Sequence, residues 1–204
     1  MASSDFPRSI EAAKENFGLD HDHPTYLLGH SRGGQVATLF LARPEAKELA
    51  IQGLMTVGSG SPYWKGFQGR ERLRMRYGTR ILQIIVKIFG YQPEGIWDVA
   101  GYGRQSGAFV SEWLRCLRTN QLNGLLGQDM DYALARDQIA IPMLFTRCAD
   151  DNDCPNESVV NLASGLPANY VRIEKIPANL GHNRWARQPE ATVSRFERFV
   201  VETL

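Results

Sequence analysis

Gly29-His30-Ser31-Arg32-Gly33 sets a serine between two glycines, at a place where chemistry can be done. The apolar run Pro24–Gly29 precedes it and reads as a buried strand. Ser31–Ala42 follows, with Val36, Leu39 and Phe40 on one helical face. A G-x-S-x-G sequence between strand and helix forces a sharp, strained turn that leaves the serine Oγ exposed for nucleophilic attack. Side chains two positions either side of the serine would collide with neighbouring chain, which explains Gly29 and Gly33. The hydroxyl also lies at a helix N-terminus, whose amides and dipole favour developing negative charge. Ser31 as a mere N-cap is the competing reading. Its placement between PTYLL and QVATLFLA favours the nucleophile.

A serine hydroxyl needs a base to take its proton and an acid to orient that base. His182 is the only histidine after Ser31, in Asn179-Leu180-Gly181-His182, between a strand and the last helix. Asp150, Asp151 and Asp153 all follow an earlier strand, and each is a candidate acid. His30 adjoins the serine, but adjacent elbow residues point to different sides, so it is expected to pack beside the site. His21-Asp22-His23 has no third ligand close by and reads as a solvated loop rather than a metal site. No metal or cofactor is expected.

The elements that must position these residues alternate in type. Strands are expected at Pro24–Gly29, Ile51–Val57, Ile141–Thr146 and Tyr170–Ile176. Helices are expected at Ser9–Gly18, Ser31–Ala42, Glu157–Leu162 and Glu190–Val201. That rhythm implies parallel β-α units in a three-layer α/β fold. Between the second and third strands lies a long insert with helical periodicity at Ile81–Phe89 and Ala108–Leu117.

From Pro24 onward the sequence resembles the α/β-hydrolase superfamily. There the acid loop often reads Asp, three residues, then Pro, as in Asp151-Asn152-Asp153-Cys154-Pro155; the resemblance therefore implies Asp151 as the acid. Gly58-Ser59-Gly60-Ser61-Pro62-Tyr63-Trp64-Lys65-Gly66 and the arginine-rich stretch beyond look like the cap of a poorly characterised group of predicted α/β-hydrolases. The implied architecture is a three-layer α/β-hydrolase core with a mostly parallel sheet, formed by residues 1–59 and 136–204. A helical cap is inserted at 60–135. A serine nucleophile argues against the dehalogenase and epoxide hydrolase branches, which use aspartate there. The backbone amide of Arg32 is the expected oxyanion donor.

The resemblance also implies several strands ahead of the elbow, whereas 23 residues precede Pro24 here. The N-terminal half of the sheet is expected to be missing, as in a fragment. The second oxyanion amide often comes from a loop near a His-Gly pair, and this sequence has none. Losing one such donor costs about 10²–10³ in rate. The elbow strand would then be a bare edge, and self-association through it is expected.

With 204 residues, 43% hydrophobic and 22% charged, the chain reads as one globular domain. A net charge of +1 gives no reason to expect nucleic acid or an anionic membrane as partner. No segment approaches the roughly 20 apolar residues of a membrane span, so no stable membrane insertion is expected. The start lacks a signal peptide's apolar stretch, and a cytoplasmic location is expected. Cys116, Cys148 and Cys154 read as free thiols. In the insert, Arg70, Arg72, Arg74, Arg76 and Arg80 read as solvated surface, with attraction of an anionic acyl substrate as the sharper alternative. Trp64, Trp97 and Trp113 read as cap core, with an acyl-binding wall as the alternative. The function expected is a serine hydrolase cleaving an ester, thioester or amide of a small acyl substrate. The alternatives are acyl transfer by the same residues and a truncated, non-catalytic chain.

Overall fold

The computed structural model describes residues 1–99 and 101–204. Helix α1 (Asp5–Asn16) leads into β1 (Thr25–His30), α2 (Arg32–Phe40), α3 (Pro44–Glu48) and β2 (Ile51–Val57). Then come α4 (Gly69–Leu73), α5 (Thr79–Phe89), β3 (Tyr91–Gln92), β4 (Gln105–Ser106) and α6 (Gly107–Thr119). Next are α7 (Tyr132–Arg136), β5 (Met143–Cys148), α8 (Asn156–Ala163), β6 (Val171–Ile176) and α9 (Glu190–Thr203). The chain forms two units, Met1–Gly60 with Asp131–Leu204, and Ser61–Met130.

The first unit is built on a four-stranded sheet in the order β1-β2-β5-β6, with every neighbouring pair parallel. Its central strands are buried almost throughout, because a parallel sheet is covered on both faces. Along β2 the side chains alternate. Met55 and Val57 pack with Leu144, Ile176 and Phe199 of α9, joined by Tyr26, Phe196 and Trp185. Thr56 faces the other way, toward Gly34 in α2. The layers are therefore α2, sheet and α9, as the sequence rhythm predicts.

Register brings the carboxyl ends of the strands together. His30 pairs with Val57, Val57 with Thr146, and Cys148 with Ile176. Ser31, Gly58, Asp151 and His182 all lie just beyond these ends, where open α/β sheets place their ligands.

Most element boundaries shift from expectation by one or more residues, and two of the shifted starts have a local cause. Strand β5 begins at Met143 rather than Ile141, because Pro142 has no N–H to give a ladder. Helix α1 begins at Asp5 rather than Ser9; its Pro7 sits in the first turn, where the N–H has no intrahelical acceptor. Lys14 near its end is buried and donates to the carbonyl oxygens of His21, His23 and Leu49, tying the helix to the start of β1.

The second unit is helical, with α5 and α6 packed through Leu82, Val110 and Leu114. Phe67, Met75 and Leu117 form a second cluster against Trp64 and Trp113. The guanidinium groups of Arg72 and Arg76 lie over the Trp64 ring, 5.0 and 4.6 Å from its centroid. Trp97 departs from expectation: it is 48% exposed and touches Phe89, so it belongs to the surface and not to the cap core. Strands β3 and β4 pair antiparallel over two residues each, a hairpin too short to leave a sequence period. Among the described residues, no helix is long and apolar enough to cross a membrane.

Candidate active site

Ser31 joins β1 to α2 with φ 50° and ψ −119°, a backbone conformation that costs a non-glycine residue about 1–3 kcal/mol. Its side chain makes no capping hydrogen bond to α2, which removes the reading of Ser31 as a helix cap. Its N–H donates to Val57 O at 3.0 Å, pinning the turn to the end of β2.

Close packing holds the turn at one of the two glycines expected, Gly29, and at a neighbour of the other. A Cβ on Gly29 would lie 2.8 Å from Gly34 Cα. One on Gly34 would lie 2.2 Å from Ser59 Oγ and 2.9 Å from Thr56 Cγ2. Around Gly33 there is open space. The collision expected at Gly33 therefore falls on Gly34, whose Cα faces the sheet while Gly33 faces outward on the first turn of α2.

Ser31 Oγ–H donates to His182 Nε2 at 2.9 Å. His182 Nδ1–H donates to Asp151, 2.9 Å to Oδ2 and 3.2 Å to Oδ1. A carboxylate only accepts, so the proton belongs on Nδ1, which leaves Nε2 free to accept from the serine. Asp151 is 1% exposed. Its Oδ1 also accepts the Cys154 N–H at 3.0 Å, and Arg147 straps its loop by donating to the carbonyl oxygens of Asp151 and Cys154.

The other two candidate acids lie apart from the imidazole nitrogens. Asp150 accepts the Gly181 N–H at 2.7 Å and pairs with Arg184 at 3.6 Å, so it ties down the loop that carries His182. Asp153 acts on His182 through its charge. The structure thus brings Ser31, His182 and Asp151 into one hydrogen-bonded chain. Arg32 opens α2, where the first amides have no acceptor within the helix.

Gly58 is a site residue that sequence reasoning missed. It follows the last residue of β2 with φ 60°, and a Cβ there would lie 2.9 Å from Asp151 Oδ2 and 3.1 Å from His182 Nδ1 and Cε1. Only a glycine lets the chain pass beneath the histidine and aspartate. The Gly-Ser-Gly-Ser sequence signals a turn, but nothing in it says what the turn passes under.

Burial pulls the His182 pKa down. The hydrogen bond and charge of Asp151, with the charge of Asp153, more than offset it, so the net shift is upward from 6.5. His30 is lowered, chiefly by burial. Cys148 and Cys154 are buried free thiols; burial raises both, Cys154 to about 12, so neither is a nucleophile near neutral pH.

No protein-family model and no curated protein sequence matches this chain. Solved structures do. Alpha/beta hydrolase domain-containing protein 10 from mouse aligns with a TM-score of 0.56 at 13% identity, over 96% of this chain and 68% of the mouse protein. An esterase from Exiguobacterium antarcticum aligns with a TM-score of 0.50 at 17% identity, over 95% of this chain and 72% of the esterase. An esterase from Rhodococcus sp. ECU1013 gives 0.50 and 17%, over 99% and 73%. The sheet, the strained elbow and these likenesses define the class of architecture: the chain has the α/β-hydrolase fold. It spans 68–73% of the lengths of these three structures.

Proposed function

We propose that this protein is a serine hydrolase that cleaves an ester, thioester or amide of a small acyl substrate through an acyl-enzyme on Ser31. The observation that carries the reading is the unbroken chain from Ser31 Oγ through His182 to buried Asp151, with both imidazole nitrogens at 2.9 Å from their partners. Geometry of this kind lets Ser31 Oγ attack a carbonyl carbon as His182 Nε2 takes its proton. Asp151 holds the ring in the productive tautomer and stabilises the imidazolium. The oxyanion develops at the start of α2, with the Arg32 amide as donor. His182 then gives its proton to the leaving alcohol, thiol or amine, and the acyl group stays on Ser31. Water attacks the acyl carbon as His182 takes its proton, and collapse of the intermediate returns that proton to Ser31 Oγ and releases the acid.

A fluorophosphonate probe tests the assignment. We expect a covalent adduct on Ser31, and no labelling of Ser31→Ala. Labelling that survives the substitution would remove Ser31 from the nucleophile's role.

A further inference from the structure

His30 is the last residue of β1, one position before the serine. Its side chain lies on the sheet face shared with Tyr26, the face covered by α9. Nε2 is 2.9 Å from the backbone carbonyl oxygen of His182. The His30 ring centroid is 5.0 Å from that of His182, and 5.3 Å from that of Trp185, which it meets edge-on. A carbonyl oxygen only accepts, so Nε2 carries a hydrogen and donates it. The elbow motif is satisfied by any residue at this position, so it does not call for a histidine.

The loop carrying His182 has other ties. Gly181 N–H and the Arg184 guanidinium are held by Asp150, and Ala178 O accepts from Ala149 N–H. All of these reach back to the acid loop. The His30 contact instead links the base residue to the strand that ends in the nucleophile. Errors in a distance between two loops add, whereas a direct tie from the serine's own strand removes the intervening chain from the sum.

We propose that His30 is a positioning residue of the reaction. Its hydrogen bond to His182 O, and its ring against His182 and Trp185, hold the imidazole in line with Ser31 Oγ. None of these three contacts is with Ser31 Oγ or Asp151. When His182 takes the serine proton, a neutral His30 adds no second positive charge beside it, and its burial favours that neutral form. The inference rests on the serine-hydrolase reading.

The test uses three variants and short p-nitrophenyl esters. His30→Phe keeps an aromatic ring and loses the donor. His30→Gln keeps an amide N–H at the same number of bonds from Cβ as Nε2. His30→Asn is one bond short. A misplaced catalytic group costs up to about 10²-fold, so His30→Phe and His30→Asn should lower kcat by roughly 10- to 100-fold with KM unchanged. The rate of fluorophosphonate labelling should fall in proportion, and His30→Gln should recover most of both. Thermal midpoints separate slow catalysis from poor folding, and the two polar variants keep the comparison alive if His30→Phe fails to fold. Wild-type kcat in His30→Asn would overturn the proposal, as would equal losses in His30→Gln and His30→Asn. Turnover that persists in Ser31→Ala would instead contradict the serine-hydrolase reading itself.

Discussion

At the scale of the residue, two opposed effects set the working pH. Burial favours neutral His182, and Asp151 and Asp153 favour the charged ring and prevail. A base must be neutral to accept the serine proton. The acid limb of kcat/KM is therefore expected above 6.5, with activity lost as pH falls through it. Asp151→Asn leaves burial with less opposition, so the limb should move down while the rate drops by about 10³–10⁴. A pH profile of both proteins measures this. Stability runs the other way. A raised histidine pKa contributes stability fully below the ordinary value and loses it as pH rises through the raised one. The His182–Asp151 pair thus supports the fold most where the base is charged and idle. Gly58→Ala should nearly abolish turnover and cost about 1–3 kcal/mol in a denaturant titration, since its methyl group meets Asp151 Oδ2 and its φ is positive. Ser31 and His182 were legible because a motif and a unique histidine mark them. Asp151 needed the resemblance, since spacing alone does not tell it from Asp150. Gly58 and the His30 contact arise from strand register and loop packing, which leave no local pattern.

At the scale of the element, the turn from β1 into α2 is set by one close approach, Gly29 against Gly34. Gly34→Ala is expected to destabilise the protein by about 1–3 kcal/mol, because the new methyl group overlaps Ser59 and Thr56 across the helix–sheet interface. Gly33→Ala meets nothing and should stabilise by up to about 1 kcal/mol through helix propensity. Unfolding midpoints of the two variants distinguish this arrangement from the symmetric one that the motif suggests. Sequence pattern revealed β2 and α9, which bury residues along their length, and β6 through its place in the strand–helix rhythm, since only its Ile176 is buried. It misplaced the start of β5, where a proline overrides an apolar run, and it missed α3, which has only five residues.

At the scale of the whole molecule, β1 is an edge of the sheet among the described residues, paired with β2, and its Leu28 is 42% exposed. Unpaired strand edges recruit other strands. The chain is expected to associate with itself as concentration rises, and Leu28→Lys should hold it monomeric in light scattering. Unchanged association in that variant would move the contact elsewhere. The two-unit organisation is centred on the insert that follows β2. The helical periods at Ile81–Phe89 and Ala108–Leu117 match α5 and α6. The hairpin between them, and the exposure of Trp97, depend on contacts that composition does not encode.

The most direct test of the central claim is to trap the acyl-enzyme. The protein is mixed with p-nitrophenyl acetate, quenched in acid and digested. A serine nucleophile at position 31 gives a burst of nitrophenolate stoichiometric with the chain, acetyl on the peptide bearing Ser31, and neither signal in Ser31→Ala. Ester turnover with acetyl on another residue, or turnover undiminished in Ser31→Ala, would contradict that claim.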